Sequence, residues 1–254
     1  MLSKSDIKYI QSLSHKKFRE QEQLFPVEGV KMVDELLKEG NFAVKKIYAV
    51  KDWEAIHKFS IPSGIALSVI EDFELQKISS QKTPQQVIAL VSLPKIDIKT
   101  QNFNGITIVL DHIQDPGNLG TIIRTCDWFG INNIICSPDT VDSFNAKVVQ
   151  SAMGSILRVN IFYTSLVDFL RMHANFPIYS AVLNGISIHE VSFSSNSFIV
   201  IGNESVGISD EILALTHQQI TVPKLGKAES LNAARSEEHT SELQSRFGIS
   251  YAVF

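Results

Sequence analysis

Three polar segments, each following an apolar run, carry the side chains best suited to chemistry. The first, Asn118-x-Gly120-x-x-x-Arg124, combines an amide with a guanidinium. The second, Gly202-Asn203-Glu204-x-x-Gly207, places a carboxylate between two glycines. The third, Val222-Pro223-x-x-Gly226-x-x-x-Ser230-Leu231-Asn232, ends with a hydroxyl and a second amide. Because glycine lets a ligand approach the backbone closely, these segments predict a site for a polar substrate or cofactor.

Each segment taken alone also fits a purely structural role. Asn118 can cap a helix that carries Arg124 on its solvent face. Glu204 suits the N-terminus of a helix, where a carboxylate is favoured by the helix dipole. Ser230 can be an ordinary N-cap. A shared functional site is favoured only when the three segments are considered together.

Other functions lack their sequence signatures. The chain has no G-x-G-x-x-G after a strand and no G-x-x-x-x-G-K-[ST], so neither a Rossmann oxidoreductase nor a phosphate-binding loop is supported. No G-x-S-x-G elbow of an α/β-hydrolase occurs. The seven histidines and two cysteines show no metal-ligand spacing, so we expect no metal. His112 and His189 are interpreted as structural.

The three segments require a scaffold that brings them together, and the hydrophobic pattern from residue 106 onward predicts one. Strand-like apolar runs alternate with helical spacing, which is typical of an α/β fold with a mostly parallel sheet and helices on both faces. Ligands bind such sheets at the carboxyl ends of the strands. The predicted strands are 106–110, 133–136, 178–183, 198–201 and 219–222, and the predicted helices are 120–129 and 146–153.

The N-terminal part reads as a smaller α/β domain. We expect an amphipathic helix over 3–24 that ends in a basic cluster of Lys16, Lys17 and Arg19. The domain is predicted to cover 1–94, followed by a linker at 95–105 and a larger domain at 106–254. The further elements expected in the N-terminal part are helices at 29–39 and 72–77 and strands at 44–50, 66–69 and 86–93.

Composition limits the partners. The 254 residues carry a formal net charge of −4, which argues against coating of nucleic acid by bulk charge. Residues 1–100 nevertheless hold 15 basic and 13 acidic side chains, a net of +2 that suits a polyanion. The apolar runs are too short to span a bilayer, the N-terminus has no apolar signal region, and two cysteines suit a reducing cytosol. We therefore expect a cytoplasmic protein without membrane partners.

In this order, the three polar segments closely resemble the motifs of SpoU-type (TrmH-type) RNA 2′-O-ribose methyltransferases of the SPOUT superfamily. The N-terminal part resembles that family's L30e-like substrate-binding domain, through residues 12–19, 25–29 and 78–85. The resemblance implies S-adenosylmethionine as cofactor, a C-terminal trefoil knot and a homodimer. It also implies methyl transfer to a ribose 2′-hydroxyl of RNA, with ribosomal RNA favoured over transfer RNA.

The resemblance assigns roles to individual residues. Arg124 would be the central catalytic residue, and because a guanidinium stays protonated near neutral pH, we expect it to grip a phosphate and orient the 2′-oxygen. Lys16, Lys17 and Arg19 are the candidate RNA contacts. The other implied catalytic residues are Asn118, Glu204, Ser230 and Asn232, and the implied cofactor contacts are Gly202, Val222, Leu231 and Leu183.

Residues 235–246 depart from the family pattern. They read like a translated sequencing adapter, and apolar family-like sequence resumes at Phe247, so we interpret this segment as an artefactual insertion. The insertion keeps a second function open, a catalytically impaired RNA-binding module of the same fold.

Overall fold

The computed structural model describes residues 1–223. They fall into two compact units, one formed by 1–96 with 144–157 and the other by 97–143 with 158–223. The third polar segment from residue 224 onward and the suspected insertion lie outside the described residues.

The first unit is built on a mixed sheet. Its strands lie in the order β1-β4-β2-β3, with β4 antiparallel to both neighbours and β2 parallel to β3. The central strand β4 is buried from Val87 to Val91 because its run of apolar side chains faces the core on both sides. The elements of this unit are α1 (Lys4–Ser12), α2 (Lys16–Glu22), β1 (Leu24–Glu28), α3 (Val30–Glu39), β2 (Val44–Ala49), α4 (Lys51–His57), β3 (Ala66–Val69), α5 (Asp72–Ile78) and β4 (Val87–Ser92), together with α7 (Ala146–Ala152) and a 3₁₀ turn (Met153–Leu157).

The single helix expected over 3–24 is wrong, because the structure divides this stretch into α1, α2 and the start of β1. Ser3 caps α1 in a capping box with Asp6. The first helix ends near Leu13, and α2 starts after His15, which has an extended backbone. The amphipathic spacing continues across the break, and therefore the pattern alone does not show it.

The second unit confirms the mostly parallel sheet. Its strands lie in the order β10-β8-β9-β5-β6-β7, and every pairing in this described sheet is parallel. The core against this sheet contains an aromatic cluster that includes Phe103, Phe162, Phe169 and Phe198. The elements of this unit are a 3₁₀ turn (Ile98–Thr100), β5 (Ile106–Leu110), α6 (Pro116–Trp128), β6 (Asn133–Cys136), β7 (Asn160–Tyr163), α8 (Leu166–Met172), β8 (Ile178–Ser187), β9 (Ser197–Ile201), α9 (Asp210–Leu213) and β10 (Gln218–Thr221).

The strand order creates a crevice. From β5 the chain runs outward through β6 and β7, and it then returns on the other side of β5 through β8 and β9. The direction of winding therefore reverses between β5 and β9, the position at which open parallel sheets bind ligands beyond the carboxyl ends of their strands. No helix within residues 1–223 has the length and apolar character needed to cross a membrane.

Candidate active site

The first two polar segments meet at the switch point of the sheet. Strands β5 and β9 are parallel neighbours, with Leu110 in register with Ile201. The Asp111 amide donates to the Ile201 carbonyl at 2.8 Å, and the Asp111 carboxylate accepts from the Ser209 amide at 2.8 Å. Residues 111–118 and 202–207 consequently leave the same edge of the sheet side by side.

The first segment opens helix α6. Asp115 is the N-cap, and its carboxylate accepts a hydrogen bond from the backbone amide nitrogen of Asn118 at 2.9 Å. Pro116 occupies the first helical turn, where its missing N–H costs nothing. The structure therefore gives the capping role to Asp115 and leaves the side chain of Asn118, placed one turn into the helix, available for another partner.

That partner is Glu204 of the second segment. The Asn118 side-chain amide donates to a Glu204 carboxylate oxygen through Nδ2. Asn118 is 6% exposed, and its Oδ1 is buried without a hydrogen-bond partner among residues 1–223. Buried carbonyl oxygens are nearly always hydrogen-bonded in native proteins, so this atom marks the place for a donor from a ligand or from the remaining chain.

The second segment is a closed loop. Backbone bonds of 3.1 and 2.8 Å join Asn203 to Gly207 in both directions. The Asn203 side chain accepts from the amides of Ser205 and Val206 and donates to the His112 carbonyl at 2.9 Å. Asn203 therefore ties the second segment to the first, a structural role that the sequence analysis did not assign.

Gly202 is required by packing. A β-carbon at this position would lie 2.3 Å from the carbonyl carbon of Gly207 and 2.5 Å from the amide nitrogen of Ile208. These neighbours are backbone atoms that cannot move without opening the loop. The close approach fits a glycine that shapes a backbone surface at the edge of the sheet.

Two further candidates lie on β8 and directly after its neighbour β10. Leu183 is 77% exposed, and its carbonyl accepts from the Thr221 hydroxyl at 3.1 Å. Val222 directly follows β10 and is half-buried. Gly185 allows the two strands to approach, since a β-carbon there would lie 2.5 Å from the Ile220 backbone. The remaining candidates Ser230, Leu231 and Asn232 lie outside the described residues.

Arg124 lies on α6, six residues after Asn118, with its side chain exposed. Among residues 1–223 it forms no hydrogen bond or ion pair, in contrast to Arg158, whose guanidinium binds Asp127 at 2.8 Å. Its donors therefore remain available to an anion.

The structure corrects the expectation for Arg19 in the first unit. This side chain is 3% exposed, and its guanidinium donates to the carbonyls of Leu13 and Ser14, both at 2.8 Å. Arg19 thus fixes the junction between α1 and α2 and does not reach an RNA phosphate. Lys16 and Lys17 are exposed, with Lys16 3.9 Å from Glu20.

The two cysteines are buried free thiols in the second unit. Burial raises the pKa of the Cys126 thiol to about 12 and raises that of Cys136 further. Both thiols are therefore protonated at neutral pH, which disfavours them as nucleophiles. Within the described part of the chain, no group of three or more histidine, cysteine or acidic residues could hold a metal ion.

Comparison with known proteins agrees with this geometry. Residues 105–238 match the SpoU rRNA Methylase family, and residues 4–89 match the MRM3-like substrate binding domain. The chain is 32% identical to RlmP of Bacillus subtilis, a 23S rRNA (guanosine(2553)-2′-O)-methyltransferase, over 90% of this chain and 91% of the relative.

Solved structures give the same result. A protein of the TrmH family of RNA methyltransferases from Porphyromonas gingivalis superposes with a TM-score of 0.82 and 36% identity, over 92% of this chain and 94% of its own. An rRNA methyltransferase from Sinorhizobium meliloti with bound AdoMet superposes with a TM-score of 0.79 and 28% identity, over 92% of each chain. The match over more than half of the chain and the joined motifs at the switch point lead to one conclusion: this protein belongs to the SpoU rRNA Methylase family.

Proposed function

We propose that this protein transfers a methyl group from S-adenosylmethionine to the 2′-hydroxyl of a ribose in RNA. The observation that carries the proposal is the hydrogen bond between Asn118 and Glu204, which joins two family motifs at the switch point of a parallel sheet. The activity named for RlmP and the cofactor bound to the Sinorhizobium protein support it.

The residues present fit this cofactor. The closed 202–207 loop offers backbone groups beside Gly202, and the exposed Leu183 and the half-buried Val222 offer apolar surface for an adenosine. We assign cofactor contacts to these three residues and to Leu231. When bound, S-adenosylmethionine supplies a sulfonium methyl group that is ready for nucleophilic attack.

Arg124 acts on the RNA side. Its guanidinium presents several N–H donors in a planar fork, which matches a phosphate better than an ammonium does. We assign to it the grip on the phosphate beside the target ribose, which orients the 2′-oxygen. Proximity and orientation of this kind supply much of the acceleration available to a transfer reaction.

Asn118 and Glu204 position the groups around Arg124. The buried Oδ1 of Asn118 can accept either an arginine N–H or the ribose hydroxyl, while Glu204 fixes the orientation of the amide. Ser230 and Asn232 complete the proposed catalytic set. Metal ions have no part in this proposal.

We infer that ribosomal RNA is the substrate and that residues 1–94, an L30e-like domain, select it. The match of residues 4–89 to a substrate binding domain and the exposed Lys16 and Lys17 support this assignment. Residues 95–105 would then connect this domain to a methyltransferase domain at 106–254, with Phe103 of the connection packed into the core of the second unit, and a trefoil knot would lie at the C-terminal end of the methyltransferase domain. The proposal includes a homodimer that works in the cytoplasm, where ribosomal RNA is available.

Radiolabelled methyl transfer tests the function directly. The purified chain is incubated with labelled S-adenosylmethionine and with unmodified ribosomal or transfer RNA, and 2′-O-methylated positions are then mapped. Label at one ribose of ribosomal RNA is expected. RNA binding without any transfer would favour the impaired RNA-binding module instead, and deletion of 235–246 would show whether that segment causes the loss.

A further inference from the structure

Three side chains, those of Asp139, His112 and Gln114, are linked one to the next beside the loop between β5 and α6, and we call this set the relay. The His112 imidazole contacts a carboxylate oxygen of Asp139 through Nδ1. Its other nitrogen, Nε2, lies 2.9 Å from the side-chain nitrogen of Gln114. The side chains of His112 and Asp139 are 44% and 53% exposed, and Gln114 is also exposed. This relay is therefore at the surface, next to the segment that carries Asn118.

The backbone of His112 is fixed from both sides. Its amide donates to the Ser137 hydroxyl, and its carbonyl accepts from the Asn203 side chain, both at 2.9 Å. Its φ of 63° lies in the left-handed region, which a residue with a β-carbon rarely adopts. The loops after β6 and β9 thus determine where the imidazole points.

The Asp139 carboxylate also fixes the direction of the hydrogen bond at Nδ1 of His112. An ionised carboxylate only accepts, and a hydrogen bond from Ser137, together with the nearby imidazole, lowers the pKa of Asp139. Nδ1 of His112 therefore carries the proton, and in the neutral imidazole Nε2 accepts from Gln114. One N–H and the carbonyl oxygen of the Gln114 amide are left for an external partner.

We propose that Gln114 is a specificity-determining residue that contacts the edge of an unpaired RNA base near the methylated ribose, with His112 and Asp139 as its positioning residues. An adjacent donor and acceptor match the edge of a base, and proteins read RNA sequence mainly at bases that are splayed out of a helix. The inference rests on the proposed function and adds to it a residue that selects the substrate.

Because the Gln114 amide is already oriented, it should bind a base with a smaller entropy loss than an ordinary surface glutamine does. A mobile glutamine loses rotamer freedom on binding, whereas one already held by an imidazole loses less. Gln114 also lies four residues before Asn118, in the segment that opens the active-site helix. A base recognised here would belong to the target nucleotide or to its neighbour.

The test uses the full chain and a fragment of ribosomal RNA that contains the mapped methylation site. We expect Gln114→Ala to raise the KM for RNA about tenfold while the Kd for S-adenosylmethionine stays unchanged. Asp139→Asn is expected to shift the KM for RNA in the same direction by less, because it releases the imidazole. Gln101→Ala, a change at a partly buried glutamine of the same unit whose side chain donates a solvent-exposed hydrogen bond to the Asp97 carbonyl, is the control and leaves both constants unchanged.

An RNA series identifies the contacted base. Nucleotides around the target are replaced one at a time by abasic residues, and the effect of Gln114→Ala should disappear at one of these positions. Equal affinity of wild type and both Gln114→Ala and Gln114→Glu for every fragment would overturn the inference. Absence of methyl transfer by the wild type would refute the proposed function separately, and the Kd of wild type and Gln114→Ala for ribosomal RNA, measured by titration without methyl transfer, would still test the Gln114 contact.

Discussion

Asn118 and Glu204 are 86 residues apart in the chain, yet the amide of one donates directly to the carboxylate of the other. The contact depends on the order of the strands, because β5 and β9 are neighbours only after the chain has passed through β6, β7 and β8. It couples the helix that carries Arg124 to the closed 202–207 loop.

Replacing Asn118 with aspartate should break the contact, because two carboxylates would then face each other. We expect Asn118→Asp to slow single-turnover methyl transfer about 10- to 100-fold, in line with the roughly 1–3 kcal/mol cost of a lost buried hydrogen bond. The double variant Asn118→Asp, Glu204→Gln restores a donor and an acceptor and should recover part of the rate. Additive losses in the double variant would show that the two side chains act independently.

The role of Arg124 in methyl transfer can be measured separately from cofactor binding. Arg124→Ala should abolish methyl transfer while the Kd for S-adenosylmethionine, measured by calorimetry, changes little. Arg124→Lys keeps the charge but loses the planar fork, and therefore we expect it to retain only a small part of the activity. Substantial turnover by Arg124→Ala would exclude the assigned role.

The 202–207 loop offers a matched pair of glycine substitutions. Gly202→Ala forces a β-carbon into the Gly207 backbone and should both lower the Tm and remove S-adenosylmethionine binding. Gly207→Ala meets no atom within 4 Å but must adopt a φ of 78°, at a cost of about 1–2 kcal/mol. Thermal unfolding and calorimetry on both variants test whether steric space or backbone conformation determines which residues the loop tolerates. A Gly202→Ala variant with unchanged Tm and unchanged S-adenosylmethionine binding would show that a β-carbon fits at this position.

The sequence predicts elements that a local pattern defines better than contacts between residues that are far apart in the chain. Strands such as β5 and β9 were predicted because continuous apolar runs suffice to identify buried parallel strands. The short strand β7 was missed, since Asn160–Tyr163 has neither a long apolar run nor clear alternation. The family resemblance, and not periodicity, identified the residues that meet at the switch point.

Residue roles were harder to predict than elements. The sequence places Asp115 and Asn118 close together before a helix, and the proline between them is the signal that could have identified Asp115 as the cap. Arg19 follows two exposed lysines, and nothing in that cluster distinguishes the guanidinium that folds inward. The relay through His112 needs Asp139 from another loop, a contact that no local pattern contains.

Alanine substitution should therefore affect protein stability at Arg19 and RNA binding at the neighbouring lysines. Arg19→Ala is expected to lower the free energy of unfolding by about 1–3 kcal/mol, because it leaves buried carbonyl groups without donors. Lys17→Ala should leave stability unchanged and weaken RNA binding, with a shallower dependence on salt. Urea unfolding and RNA titration at two salt concentrations measure both effects. An Arg19→Ala variant with unchanged stability and weakened RNA binding would show that Arg19 contacts RNA.

The two buried thiols predict a loss of stability in alkaline solution. An unfolded cysteine has a pKa of about 8.5, whereas burial raises the pKa of Cys126 to about 12 in the folded protein. Between these values the unfolded chain binds fewer protons than the folded one, so the free energy of unfolding falls as pH rises. Below about pH 8.5 the stabilising contribution is fully present.

Each thiol can contribute a slope of up to about 1.4 kcal/mol per pH unit. Urea unfolding under reducing conditions between about pH 8 and 9 measures this slope before tyrosines, with a pKa of about 10, ionise in the unfolded chain. The double variant Cys126→Ala, Cys136→Ala removes both groups and should flatten the dependence, although it lowers stability at every pH through lost packing. An equal slope in the variant and the wild type would mean that other groups cause the alkaline loss.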